Sequence, residues 1–297
     1  VADNAYNPLR ALDRRVGKSA SRAASRLGRV VADLRAAGLV VHQRFGVARS
    51  TLAPTTVFDL DAPVAGAAAL QRVTPLMAGP RRAMTAGLAH LVGRGIGGPA
   101  APGWMVLAGV GPAPNDPLRI TGRIASLDSD ESKMILGEPP EIFEKRYSDL
   151  AAADASAMAL NTLHEHAPGL APTPLGRSHP MRVRTAWISG RPLSPHGLNA
   201  AEIETWVEKA AEALRRMQDH TRRPDGSVLV HGDYWLGNLV VDDDRILAVI
   251  DWAGAHWGDP SEDREHLVAS FLELGVTGEA TADSLRLIVD GVFATQL

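Results

Sequence analysis

Two hydrophobic periods alternate along this chain. Apolar residues fall at helical spacing in Ser19–Val41, where Leu27, Val30, Val31 and Leu34 line up with arginines between them. They do so again over Asp149–His166, with Leu160 and Leu163 on one face. The pattern is clearest after Asn199, where Ile203, Trp206, Val207, Ala210, Leu214 and Met217 form a stripe. Asn199 with Glu202 three residues on reads as a capping box. From Leu118 the period shortens to that of strands: RITGRIASL, SKMIL and EIFEKRY, broken by the turn-like DSDE and GEPP, then MRVRTAWIS closed by GRPLSPHG. Residues 42–110 are rich in Ala, Gly and Pro, and VGRGIGGPAAPG reads as a turn or linker. Strands followed by helices, without regular βαβ alternation, predict an α+β protein with two lobes.

One stretch departs from plain amphipathic patterning. Leu229–Pro260 reads LVHGDYWLGNLVVDDDRILAVIDWAGAHWGDP, with Asp233, Asn238 and Asp251 set among apolar runs. NLVV and ILAVID are β-rich and joined by the turn signal DDDR. Folded as an antiparallel hairpin about that turn, they bring Asn238 and Asp251 side by side at its open end, with Asp233 on the entering loop. An amide and a carboxylate together suit a hard cation such as Mg²⁺, which takes its other ligands from water and phosphates. A further carboxylate close by can take the proton of an attacking hydroxyl. These residue types fit a phosphoryl-transfer site.

Composition narrows the picture. The 297 residues have room for two lobes and a sizeable core, and 45% apolar with 22% charged residues is ordinary for a globular chain. The absence of cysteine excludes disulfides, thiolate catalysis and cysteine-held zinc. No apolar run reaches membrane-spanning length and the N-terminal residues lack a signal-peptide core, so a cytoplasmic protein with no membrane span is expected. The net charge of −3 hides an asymmetry: residues 1–95 carry 14 basic and 5 acidic residues (+9), leaving 31 − 14 = 17 basic and 34 − 5 = 29 acidic residues elsewhere (−12). A basic first third suits nucleic acid, an anionic membrane or a complementary acidic surface. Its arginines are spaced through apolar sequence without interleaved aromatics, which favours the last and leaves no nucleic-acid partner expected. Ser19–Val41, rich in Ser and Arg and poor in acids, also has the make-up of a targeting segment; a packed helix is the preferred expectation.

HGDYWLGN followed by IDW and GDP resembles the signature of the aminoglycoside phosphotransferase and choline kinase-like family, small-molecule relatives of the protein kinases. The resemblance covers Leu229–Leu274 closely and the chain from about Leu118 more loosely. It implies a bilobal protein-kinase-like fold: an N-terminal extension over residues 1–110, a small β-rich nucleotide-binding lobe and hinge over 111–190, and a helical catalytic lobe over 191–297. It implies Asp233 as catalytic base, Asn238 as a Mg²⁺ ligand and Asp251 as the principal Mg²⁺ ligand. Lys145 would grip the nucleotide phosphates; it is preferred to Arg146, strand alternation placing Phe143, Lys145 and Tyr147 on one face. The acid that positions this lysine, usually Glu in relatives, falls to the shorter Asp154. The phosphate-covering loop falls in TGRIASLDSDES around Ser126, with one glycine, and the backbone of Ala186 and Ile188 would meet the base. Relatives continue further past GDP, which implies either a small, open acceptor pocket or one that the first hundred residues help to form.

The implied activity is Mg²⁺-dependent transfer of the γ-phosphate of ATP or GTP to a hydroxyl of a small molecule. Two other readings stand beside it. A kinase-like nucleotide-binding or scaffold protein with little activity is suggested by Asp154 and the glycine-poor loop, although the intact Asp233, Asn238 and Asp251 set argues against it. A metal-dependent phosphoesterase would need His231, Asp233, Asp251 and His256 at one metal, whereas the hairpin pairs Asn238 with Asp251. His231 reads as a brace for its loop, Asp259 as a helix N-cap with Glu262 at the third position, and Asp242–Asp244 as turn residues. Trp252 reads as packing, and Trp257 as packing or pocket lining.

Overall fold

The computed structural model describes residues 2–3, 27–48, 55–74, 79–95, 103–110, 120–125, 131–194, 198–273 and 282–294. The chain divides into two compact units, Val1–Lys145 and Arg146–Leu297. The expected boundaries at residues 110 and 190 both fall inside these units. Ser126, most of DSDE and the centre of the glycine-rich linker lie outside the described residues. Among those described, no helix is long and apolar enough to cross a membrane.

The first unit runs β1 (Ala2–Asp3), α1 (Leu27–Ala36), β2 (Val40–Ala48), β3 (Thr55–Asp59), α2 (Pro63–Val73), α3 (Gly79–Gly93), β4 (Gly103–Gly109), β5 (Ile120–Ala125), β6 (Ser132–Leu136) and β7 (Ile142–Arg146). Helical periodicity anticipates α1, but Gly38 stops it. With φ of +78° this glycine adopts the left-handed conformation that ends helices, and the Gly38 and Leu39 amides donate to the carbonyls of Arg35 and Leu34. The strands of this unit lie side by side in the order β1-β4-β2-β3-β5-β6-β7. The Ala- and Gly-rich stretch is therefore woven into the same sheet as the later strands. Small residues make this possible: α2 lies on β3 and β5, Ala65 and Ala69 are fully buried, and a Cβ on Gly122 would meet Ala69 at 2.8 Å. Glu138, in the GEPP turn, accepts from the Val64 and Ala65 amides at 2.9 Å each and so satisfies the first turn of α2.

The second unit runs α4 (Leu150–His166), β8 (Pro174–His179), β9 (Arg182–Ala186), β10 (Arg191–Pro192), α5 (Ala200–Thr221), β11 (Val228–Val230), β12 (Leu239–Asp242), β13 (Arg245–Val249), β14 (His256–Gly258), α6 (Ser261–Glu273) and α7 (Ala282–Ala294). Asp149 caps α4, accepting from the Ala152 amide at 2.8 Å. The capping box of α5 is complete: Asn199 Oδ1 accepts from the Glu202 amide at 3.0 Å and Glu202 Oε2 accepts from the Asn199 amide at 2.8 Å. The whole apolar stripe of α5, from Ile203 to Met217, is buried in one core with Leu160, Leu163, Leu229, Leu236, Trp252 and Leu267. Replacing Asn199 with Ala should lower stability by about 1 kcal/mol, read as a lower urea midpoint at unchanged slope. β10, β12 and β13 form one antiparallel sheet and β11 pairs with β14, so the loops bearing the polar cluster sit at strand ends with α5 beneath.

Candidate active site

The hairpin forms as its sequence predicts, with one adjustment that matters for the site. Asp242 pairs with Arg245 across a tight turn in which Asp243 has a φ of +48°. A regular ladder from that turn would set Val249 opposite Asn238. A bulge intervenes: Val241 faces Ile246 but Val240 faces Ala248, leaving Leu247 as the extra residue. The open end is shifted by one, and Ile250 donates to the Asn238 carbonyl at 2.8 Å. Asp251 is thus the next residue past Asn238's partner. Gly190 covers the bulge, and a Cβ there would lie 2.8 Å from the Val241 carbonyl and from a Val240 methyl.

Asp251 itself has φ 73°, ψ 60°, the left-handed conformation that Asp tolerates better than most residues. A short turn, Trp252–Gly254, follows directly, with the Trp252 indole buried and donating to the Val249 carbonyl at 3.0 Å. Asp233 is exposed, whereas Asn238 is buried. Asn238 Nδ2 donates to the Asp233 carbonyl at 2.9 Å and to Asp233 Oδ2 at 3.1 Å. Both partners are acceptors, so the amide nitrogen is committed to Asp233 and Oδ1 is the atom of this side chain that could hold a cation. An amide oxygen and a carboxylate at one hairpin end fit a hard divalent cation. Among the described residues no group of three or more His, Asp or Glu forms a closed cage. Such a cation would depend on water and phosphate for its remaining ligands.

The loop carrying Asp233 is fixed from below. His231 is fully buried: its Nε2 lies 3.0 Å from the Ile250 carbonyl and its Nδ1 accepts from the Asp233 amide at 3.2 Å. One acceptor and one donor face the ring, which requires the neutral form protonated at Nε2. Burial likewise pushes its pKa down to about 4. The ring therefore braces the loop, as expected, and has no lone pair left for a metal; this removes the phosphoesterase reading. Tyr234, wholly buried, donates to the Ala210 carbonyl at 2.8 Å and pins the loop to α5. Gly232 has φ +79°, and a Cβ there would sit 2.5 Å from the Gly254 carbonyl oxygen, so the loops bearing Asp233 and Asp251 touch backbone to backbone.

Sequence reasoning passed over Asp263. From the first turn of α6 its carboxylate accepts from the His231 amide at 2.6 Å and from the Gly232 amide at 3.0 Å. It is fully buried, and desolvation pushes its pKa up to about 6 against the pull of those two amides. Asp259 plays the structural part expected of it: Oδ1 accepts from the Ser261 amide at 2.7 Å, and its own amide donates to Glu262 Oε1 at 3.0 Å. The Trp257 ring is covered by the Arg223 guanidinium, 3.3 Å from its centroid.

The residues expected to hold nucleotide are placed as follows. Lys145 is buried in β7 with Nζ 3.5 Å from Glu131, within the first unit. Asp154, in the second unit, is largely exposed and pairs with Arg177 at 2.7 Å. The strand end places Ala186 with its amide donating to the Thr173 carbonyl at 2.8 Å, and Ile188 lies two residues beyond, half-buried.

An Asp-bearing loop, an Asn and a second Asp at the mouth of a two-stranded hairpin form the arrangement of kinase-type phosphotransferases, on an α+β scaffold. A model of the phosphotransferase enzyme family matches residues 105–281, more than half of the chain, and the chain belongs to that family. Among solved structures it is similar to an aminoglycoside phosphotransferase from Streptomyces rimosus (17% identity, TM-score 0.46, covering 57% of this chain and 84% of that one). It is also similar to a macrolide 2'-phosphotransferase from Brachybacterium faecium (14% identity, TM-score 0.41, 57% and 74% covered). A third is an amicoumacin kinase in complex with AMP-PNP and Ca²⁺ (9% identity, TM-score 0.44, 61% and 73% covered). No curated protein matches the chain.

Proposed function

We propose that this protein transfers the γ-phosphate of ATP or GTP to a hydroxyl of a small molecule, with Mg²⁺ as cofactor. The observation that carries the reading is the joint placement of Asn238 opposite Ile250, Asp251 immediately after it, and Asp233 tied to Asn238 by two hydrogen bonds. Asn238 Oδ1 and the Asp251 carboxylate would hold the cation, which when bound neutralises charge on the nucleotide phosphates. Asp233, exposed on its loop, orients the acceptor hydroxyl and takes its proton as the new phosphate ester forms and the nucleoside diphosphate leaves. Lys145 is assigned to the phosphates, the loop around Ser126 to covering them, and the backbone at Ala186 and Ile188 to the base. Asp154, which also pairs with Arg177, is assigned to positioning that lysine. Catalysis of this kind is mostly positioning and charge neutralisation, which accounts for the heavy bracing beneath the Asp233 loop. The reading carries with it a compartment supplied with nucleotide, the cytoplasm.

Thermal melting with ATP and GTP, each with and without Mg²⁺, tests it. At a hundredfold excess over the dissociation constant a ligand stabilises by about 2.7 kcal/mol. The expected result is a rise in Tm that needs nucleotide and Mg²⁺ together and loses its Mg²⁺ part in Asp251→Asn. A rise with nucleotide alone would favour a nucleotide-binding scaffold.

A further inference from the structure

His256 contrasts with His231 in a way that only its surroundings reveal. Its Nδ1 lies 3.0 Å from the Gly254 carbonyl and its Nε2 lies 3.0 Å from Glu262 Oε2. Neither partner has a proton to give. A neutral imidazole has one donor nitrogen, so it satisfies one of these acceptors and turns a lone pair toward the other; an imidazolium satisfies both. The charged groups facing the ring, Glu262 and Asp263 from α6, are both acidic, and its own strand contributes none. The Gly254 carbonyl, then the Glu262 carboxylate, hold the pKa above the ordinary histidine value against partial burial.

The contacts run directly to the candidate metal site. Gly254 ends the turn that begins at Asp251, and its carbonyl oxygen is the atom pressed against Gly232 beside Asp233. On the other side Glu262 is fixed by its second oxygen, which accepts from the Asp259 amide at 3.0 Å. The glycine of the GDP segment is shaped to this pair: a Cβ on Gly258 would lie 2.6 Å from Glu262 Oε1 and 3.0 Å from His256 Nε2.

We propose that His256 is a positioning residue: as an imidazolium bridging the Gly254 carbonyl and Glu262, it holds the Asp251 turn against the Asp233 loop and so sets the metal site. This rests on the reading of Asp251 as a metal ligand. The sign follows from the raised pKa. The tie is complete below the ordinary value near 6.5 and is lost as pH rises through the folded-state pKa, so Mg²⁺ binding weakens on the alkaline side.

The test compares the full chain with Glu262→Gln, which keeps an oxygen for the Asp259 amide but removes the charge facing His256. Side-chain NMR follows the His256 titration, and calorimetry from pH 6 to 9 follows the gain in ATP affinity on adding Mg²⁺. The nucleotide's own titration is common to both proteins. Since both members are about half exposed, with side-chain exposures of 47% and 43%, the substitution should weaken proton binding by roughly two- to fivefold. The alkaline loss of the Mg²⁺ gain should move to lower pH by the same factor. A Mg²⁺ gain that is level across this range, or whose midpoint is identical in the two proteins, overturns the proposal and leaves the proposed function standing. Absence of any Mg²⁺ gain in the unaltered protein at every pH overturns both.

Discussion

An Asp233→Asn protein should fold as stably as the parent and transfer phosphate about 10²- to 10⁴-fold more slowly. The side chain is exposed, so the core does not depend on it. An asparagine retains an oxygen to accept from Asn238 Nδ2, preserving the local geometry. What it loses is the capacity to take a proton and the negative charge that orients the acceptor hydroxyl. The measurement is transfer from labelled ATP across a panel of small hydroxyl compounds, with urea unfolding of both proteins alongside. Equal rates would remove Asp233 as the base; a matching loss of stability would mean the side chain is structural.

The second large effect is expected at Gly232. Alanine there meets two independent penalties. The backbone is left-handed, at φ +79°, which costs a residue with a Cβ about 1–2 kcal/mol. The new methyl would also lie 2.5 Å from the Gly254 carbonyl oxygen, and relieving an overpacked contact costs about 1–3 kcal/mol. Backbone cannot swing aside as a side chain does, so the Asp233 and Asp251 loops must part. Gly232→Ala should therefore lose about 2–5 kcal/mol of stability, and its Mg²⁺-dependent nucleotide binding should fall further than stability alone explains. Gly237→Ala is the control. There the nearest atom is the Trp235 ring, at 2.2 Å, which can rotate away, and the loss should be smaller. Urea unfolding and calorimetry of the two variants decide it; equal losses would show that the contact with Gly254 does not hold the loops together.

Features that depend on neighbours a few residues away were readable from the residues alone. The Asn199 capping box and the buried stripe of α5 follow from helical spacing. The hairpin carrying Asn238 and Asp251 follows from two β-rich runs around a polar turn, and the motif within it was enough to identify the family. These are local, because the physics that specifies them acts within one turn of helix or one pair of strands.

The rest was decided by packing between segments far apart in the chain. β3 pairs with β5 from Thr55 to Ala125, and β2 pairs with β4 from Val40 to Gly109; of these four only β5 reads as a strand, the others lying largely in the Ala- and Gly-rich stretch. Asp263 reads as one more acid on a charged helix, yet it holds the His231 and Gly232 amides across 32 and 31 residues of sequence. Asp154 reads as a lone acid on an Ala-rich helix, yet it meets Arg177 at 2.7 Å across 23 residues of sequence. The two histidines are the sharpest case. Nothing in HGD or AHWG tells one ring from the other, and their charge is set by what faces them: a donor and an acceptor around His231, two acceptors around His256. By itself the sequence determined which chemical groups are present and which local elements carry them. Partner, burial and protonation state were left to the tertiary structure, because each depends on atoms that only folding brings together.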